Sequence, residues 1–393
     1  MLSAIQGIST LMSSITGLSY SFCVIIAWVS FAVFTVWSGS SGVLITDTIM
    51  FLVFLTAAII GIPFIVKAAG GWIPAIQNLA LSTTKPGIIS AGGNLEYLYP
   101  TGAENITWAV TYGIVWALVV MISPWQTSRY LMAKDEKTVL KSAVWSSALV
   151  IMITTLLYFS AAFVQSINPD LVASQSIIWA AMNLMPKLVG VVLLTGILAA
   201  GISSASTFLS LIGFSITNDL MNLKGGEVDK QLRISRVGMI GASVLVLILA
   251  YFNPPQIFWI MYFGGTVIAS SWAVVALGSV WSKKLSSMGA FLGMLLGFVG
   301  CVGVKSYSVM MSVTLPIWAD SFFIGILLSI IGAAVGSIVW PKSDAEQKEQ
   351  NQLKTEVESV DGIHKYGIAY LGFAVAFTLF MLCMYVFPYV EAL

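Results

Sequence analysis

The sequence predicts an all-α fold, a polytopic membrane bundle of about ten transmembrane helices, and three observations carry that expectation. Hydrophobic residues make up 58% of the 393 positions and charged residues only 9%, with a mean hydropathy of +0.93, far from the mix of a soluble domain. The apolar residues fall in long uninterrupted runs near the ~20 residues that a spanning helix needs. They do not fall in the alternating ten-residue segments of a barrel. Finally, lysine and arginine collect in every second loop. Of the 18, 14 lie in one set of loops, and the remaining four, Lys67, Lys85, Lys187 and Lys305, fall in the alternate set. Because cytoplasmic loops retain positive charge, this supports the number of spans and places both chain ends outside.

Taken in order, the runs are 17–38, 43–66, 106–126, 141–165, 188–215, 233–252, 256–281, 286–304, 317–340 and 366–388. Residues 1–15 read as the last turns of a helix whose beginning is absent, and no basic n-region marks a cleavable signal. Gly39-Ser40-Ser41-Gly42 separates the first two runs. The long outer segment 67–105 is punctuated by glycine and proline into turns and one short surface helix. Asn105-Ile106-Thr107 matches a glycosylation acceptor, but it abuts a span and is discounted. Arg129, Lys134, Lys137 and Lys141 mark a cytoplasmic loop after the third run. Gly289, Gly293 and Gly297 repeat at four-residue spacing on the eighth run, as close helix packing requires. The segment 341–365 is strongly polar and is read as a cytoplasmic loop that contains the lone His364. The rest of 1–393 forms a single transmembrane domain.

Motifs of soluble enzymes are missing. There is no phosphate-binding glycine loop followed by lysine, no histidine pair for zinc, and no nucleophile with a histidine partner. Cys23, Cys301 and Cys383 lack paired or metal-ligand spacing and read as buried thiols. The chain is therefore expected not to be an enzyme and to carry no cofactor.

Polar groups inside the spans are the better leads, because they are costly there. In residues 198–210, Ala200, Ser203 and Ser204 stand at i, i+3 and i+4, so a carbonyl and two hydroxyls share one helix face. These oxygens suit a small hard cation such as sodium. The alternative is that small residues let helices pack closely and that serine returns its hydroxyl to the carbonyl one turn back. Asp47 is the charged residue of the 43–66 run. It serves either function or the dipole of a helix start. Arg129, just beyond Pro124, is a gate or a positive-inside anchor. Trp108, Tyr112 and Trp116 line a path for solute or anchor the helix at the interface.

Together these segments resemble one family. Gly39-Ser40-Ser41-Gly42 through Thr46-Asp47, Ser123-Pro124 through Arg129 and on to Lys134-Asp135, Gly196 through Ser206 with Thr217-Asn218-Asp219, Ser235-Arg236, and Gly289 through Gly297 follow, in order, the pattern of the sodium/solute symporter family, which includes proline, pantothenate and sugar permeases. The resemblance implies an inverted-repeat architecture of the leucine-transporter type, present in part. It implies sodium-coupled symport of a small organic solute across the membrane, with sodium as coupling ion and no other cofactor. It also implies that Ala200, Ser203 and Ser204 are sodium ligands and that Asp47 is linked to coupling. The segment around Trp116, Val119 and Val120 departs from the sugar transporters, which disfavours a sugar.

In the family frame the chain starts at the end of core helix three, without the leader helix and core helices one to three. Three accounts follow: a fragment of a working symporter, a truncated remnant or interaction protein without transport, or a chain completed by a separately encoded N-terminal segment. A sodium-independent facilitator is a further alternative. Solute, sodium ion and lipid are the expected partners, with no nucleic acid.

Overall fold

The computed structural model describes residues 1–82, 102–221, 228–252, 257–358 and 362–393, and these are helical with short connections and no strand. The elements are α1 (Leu2–Thr16), α2 (Tyr20–Ala68), α3 (Trp72–Ala80), α4 (Gly102–Ile122), α5 (Pro124–Leu131), α6 (Glu136–Ile167), α7 (Ser176–Asn183) and α8 (Lys187–Phe214). They continue as α9 (Val228–Phe252), α10 (Ile257–Trp281), α11 (Ser287–Met311), α12 (Ser321–Val339), α13 (Asp344–Glu358), α14 (Ile363–Met381) and α15 (Phe387–Ala392). Among the described residues, 9 helices are long and apolar enough to cross a membrane, and Tyr20–Val36 is a shorter apolar stretch. The chain is a multi-pass integral membrane protein.

One expected boundary is absent. The break at 39–42 is not there: α2 runs through it as a single helix of 49 residues. Glycine and serine cost a helix up to about 1 kcal/mol each, but unlike proline they keep the N–H that bonds the preceding turn. At a rise of 1.5 Å per residue α2 is about 74 Å long, more than twice the hydrocarbon core. It therefore carries two apolar segments, Tyr20–Val36 and Ile45–Ala68.

The chain divides into two compact units. The first comprises Met1–Ser90, Ser146–Ile260 and Phe373–Leu393, and the second Ala91–Trp145 and Met261–Gly372. The first unit has two apolar cores. One gathers Ile5, Ile8, Val24, Phe31, Leu209 and Met239 from α1, α2, α8 and α9. The other surrounds Phe163 with Ala58, Ile62, Ile65, Ile76 and Leu193. Trp72 fastens the second core, with its ring 5.2 Å from both Phe159 and Phe163 and its Nε1 donating to the Met384 carbonyl at 2.8 Å. Tyr385 lies 5.4 Å from Phe159. Of the outer segment 67–105, α3 is the short helix expected, and 83–101 lie outside the described residues.

In the second unit α11 and α12 interlock through glycine. A Cβ on Gly289 would meet the Ala333 carbonyl at 2.8 Å, and one on Gly332 would meet the Leu292 carbonyl oxygen at 2.6 Å. Cys23 and Cys301 are buried as expected, but Cys383 is exposed. It stands in a π-helical turn, Leu382–Val386, whose carbonyl at Met384 is what the first unit uses.

The polar segment 341–365, expected as a loop, holds helix α13, and His364 is exposed at the start of α14. Its helical start is explained by a capping box: the Glu346 amide donates to Ser343 Oγ at 3.3 Å while the Ser343 amide donates to Glu346 Oε2 at 2.6 Å. The other carboxylate oxygen of Glu346 accepts the Ser287 amide at 2.9 Å and the Ser287 hydroxyl. These donors, the Ser287 hydroxyl foremost, hold the Glu346 carboxyl down to about 2. A depressed acid contributes stability above its unfolded value and loses it as pH falls through the folded one. Pepsin nicking within 344–358, normalised to an unstructured peptide, is therefore expected to stay low at pH 4 and to rise only as pH approaches 2. Release beginning at pH 5 would contradict this.

Candidate functional site

Helix α8 carries the serine cluster into the first unit, and the structure brings Asp47 to it. Ser203 Oγ donates to Asp47 Oδ1 at 2.5 Å across 156 residues of sequence. Asp47 does not stand at a helix start, because α2 continues on both sides of it. The dipole reading of that residue therefore has no terminus to act on, and a carboxylate within a spanning helix needs another partner. Ser203 and Asp47 are half-buried, and Ser204 beside them is exposed.

Ser204 Oγ donates to the Ala200 carbonyl at 2.9 Å. This is the return bond to the preceding turn. It is the alternative that the spacing left open for this hydroxyl. The sequence reasoning passed over Ser206. Its residue is 0% exposed and its hydroxyl has no hydrogen-bond partner, while it stands one helical step from Ser203. A buried hydroxyl left so costs about 1–3 kcal/mol unless water or an ion meets it. Its signal was the recurrence Ser203, Ser206, Ser210 along one face. Downstream, α8 passes into a π-helical turn, Ser215–Leu220, a deviation often found near functional positions.

Among the described residues no three of histidine, cysteine, aspartate and glutamate gather as a metal cage. The donor set of the cluster is instead hydroxyl and carbonyl oxygen with one carboxylate. That chemistry favours a hard cation of low charge over a transition metal.

The aromatic residues predicted for a solute path come together in the second unit. Trp108 and Tyr112 stack at 5.6 Å, and Tyr112 and Trp116 meet at 6.3 Å. Tyr262 of α10, which sequence spacing did not flag, stacks on Tyr112 at 5.6 Å and lies 6.1 Å from Trp108. The buried Trp116 Nε1, a donor only, has no acceptor. Arg129 also belongs to this unit, half-buried on the last turn of α5, where a cation complements helix carbonyls.

Comparisons with known proteins bear on the family and the fold. A family model described as the sodium:solute symporter family matches residues 1–297. The sodium/pantothenate symporter of Escherichia coli (strain K12) is 24% identical over 340 residues, covering 85% of this chain and 68% of that protein. Among solved structures, a Na+-coupled sialic acid symporter in its substrate-bound outward-open state aligns with a TM-score of 0.63 at 15% identity. That alignment covers 86% of this chain and 72% of the other, and the work on that symporter describes a novel Na+ site.

Proposed function

Since this chain belongs to the sodium:solute symporter family, we propose that it carries out sodium-driven symport of a small organic solute, with Asp47, Ser203, Ser204 and the Ala200 carbonyl as sodium ligands. The observation that carries this reading is the Ser203–Asp47 hydrogen bond. It joins the two polar leads of the first unit into one cluster. When a cation arrives, the serine hydroxyl turns its proton away, and both oxygens face the ion. Ser206 Oγ supplies a further oxygen, and water completes the shell. Binding a cation also neutralises the Asp47 charge, which removes its cost within the membrane.

For the solute, Trp108, Tyr112, Trp116 and Tyr262 offer ring faces, and the buried Trp116 Nε1 offers a donor. A solute that satisfies that donor presents an acceptor oxygen. Pantothenate and sialic acid, the solutes named for two similar proteins, each carry a carboxylate and hydroxyls. Organic anions are accordingly the first class to test. Arg129 is proposed as a gating residue.

In proteoliposomes holding the chain, uptake of labelled pantothenate, sialic acid, proline and glucose is to be measured with inward sodium or potassium gradients. At least one carboxylate is expected to accumulate with sodium at ten times the potassium rate or more. Equal rates in both gradients would replace symport with a sodium-independent facilitator. No uptake in either would leave the chain without transport of its own.

A further inference from the structure

Helix α13 is bound to the rest of the second unit by polar contacts. Among its described side chains only Gln350 is buried. Gln350 Nε2 donates to the carbonyls of Ser279 at 2.5 Å and Ser282 at 3.2 Å, which satisfies the open carbonyls where α10 ends. Lys342 Nζ donates to Gln350 Oε1 at 2.8 Å and so orients the amide. One turn earlier, Glu346 grips the start of α11 through Ser287 while capping α13 itself. Two side chains one turn apart thus hold both ends of the short α10–α11 corner.

Among its described residues α13 is held through hydrogen bonds, those of Glu346 lying at the exposed surface where water can replace them, and contacts of that kind belong to the less stable part of a fold. The corner it holds is the end of α10, the helix that carries Tyr262. We propose that α13 is a detachable strap at the membrane edge: docked, its Glu346 and Gln350 fix the α10–α11 corner, and released, they free the end of α10. Its effect on solute handling rests on the reading of Tyr262 as part of the solute cluster.

The docking is tested without any solute, by amide exchange of the whole chain in nanodiscs. Glu346→Gln and Gln350→Ala are each expected to speed exchange over 279–289 by tenfold or more. Exchange in the glycine-packed parts of α11 beyond residue 289 and of α12 should not change. Wild-type rates over 279–289 in both variants would overturn the strap. Release is tested by a Ser282→Cys and Gln350→Cys pair in a Cys383→Ser background, oxidised and then reduced. The oxidised pair is expected to take up pantothenate, or whichever tested solute the unmodified chain accumulates, at one fifth of the reduced rate or less. Uptake indifferent to oxidation would show that α13 need not detach. Absence of sodium-driven uptake in the unmodified chain would refute the transport reading instead, and the exchange result would still decide the strap.

Discussion

Asp47→Asn is expected to weaken apparent sodium affinity roughly tenfold or more, since contacts to a charged group contribute about 1.5–3 kcal/mol against about 0.5–1.5 kcal/mol for a neutral one. Asparagine keeps the volume and can still accept the Ser203 hydroxyl, so the helix pair should remain assembled. What it removes is the negative charge. Ser203→Ala deletes one neutral oxygen and is expected to cost roughly tenfold or less. Asp47→Glu, which restores the charge at the wrong reach, should fall between wild type and asparagine. Sodium titration of uptake, or of tryptophan fluorescence in detergent, reads all three. If Asp47→Asn lowers thermal stability while its sodium curve overlays wild type, the carboxylate is a structural group and the ion assignment is wrong.

The second large effect concerns α11 and α12. A Cβ on Gly332 would stand 2.6 Å from the Leu292 carbonyl oxygen, 2.9 Å from its carbon and 3.1 Å from the Gly293 nitrogen. All three are backbone atoms, which cannot swing aside. Gly332→Ala is expected to cost about 1–3 kcal/mol, and Gly332→Leu to prevent assembly of the pair. Gly303 on α11 is the matched control, with nothing within 4 Å of its added Cβ. There alanine improves the helix by up to about 1 kcal/mol. Unfolding of purified variants in graded dodecyl sulfate measures both. Equal effects at the two positions would mean that close packing is not what holds these helices.

The contrast between those glycines shows what the sequence conveys. Four-residue spacing at Gly289, Gly293 and Gly297 announces a packed face, because one helix fixes it. What they face, Ala333 and Ser337 at Gly289, Ala333 and Ser329 at Gly293, and Ser270, Ser271 and Ser329 at Gly297, lies on other helices, and only three-dimensional register reveals which residues oppose which. The same limit hid the Ser203–Asp47 bond: each residue was legible alone, but their pairing depends on how α2 and α8 slide past each other. Tyr262 gave no signal, since a single tyrosine in an apolar run is common. Helix α13 is a different case. Its capping signal, Ser343 followed by Glu346, was readable, but the polar composition of the segment outweighed it. At 39–42 the composition misled in the other direction, because glycine and serine resemble a turn where the backbone bonds of a long helix prevail.

The fastening at Trp72 has a consequence for biogenesis. Its indole is satisfied by the Met384 carbonyl, and Tyr385 covers the ring that flanks it, so a core begun by early helices is closed by residues made more than three hundred positions later. During synthesis that indole and its neighbours wait in the translocon or in lipid while the intervening segments are inserted. The first unit thus reaches its final state only after Met384 and Tyr385 have been made. A stop codon shortly before Met384 should hand quality-control proteases a protein whose early helices are all in place and still unsealed.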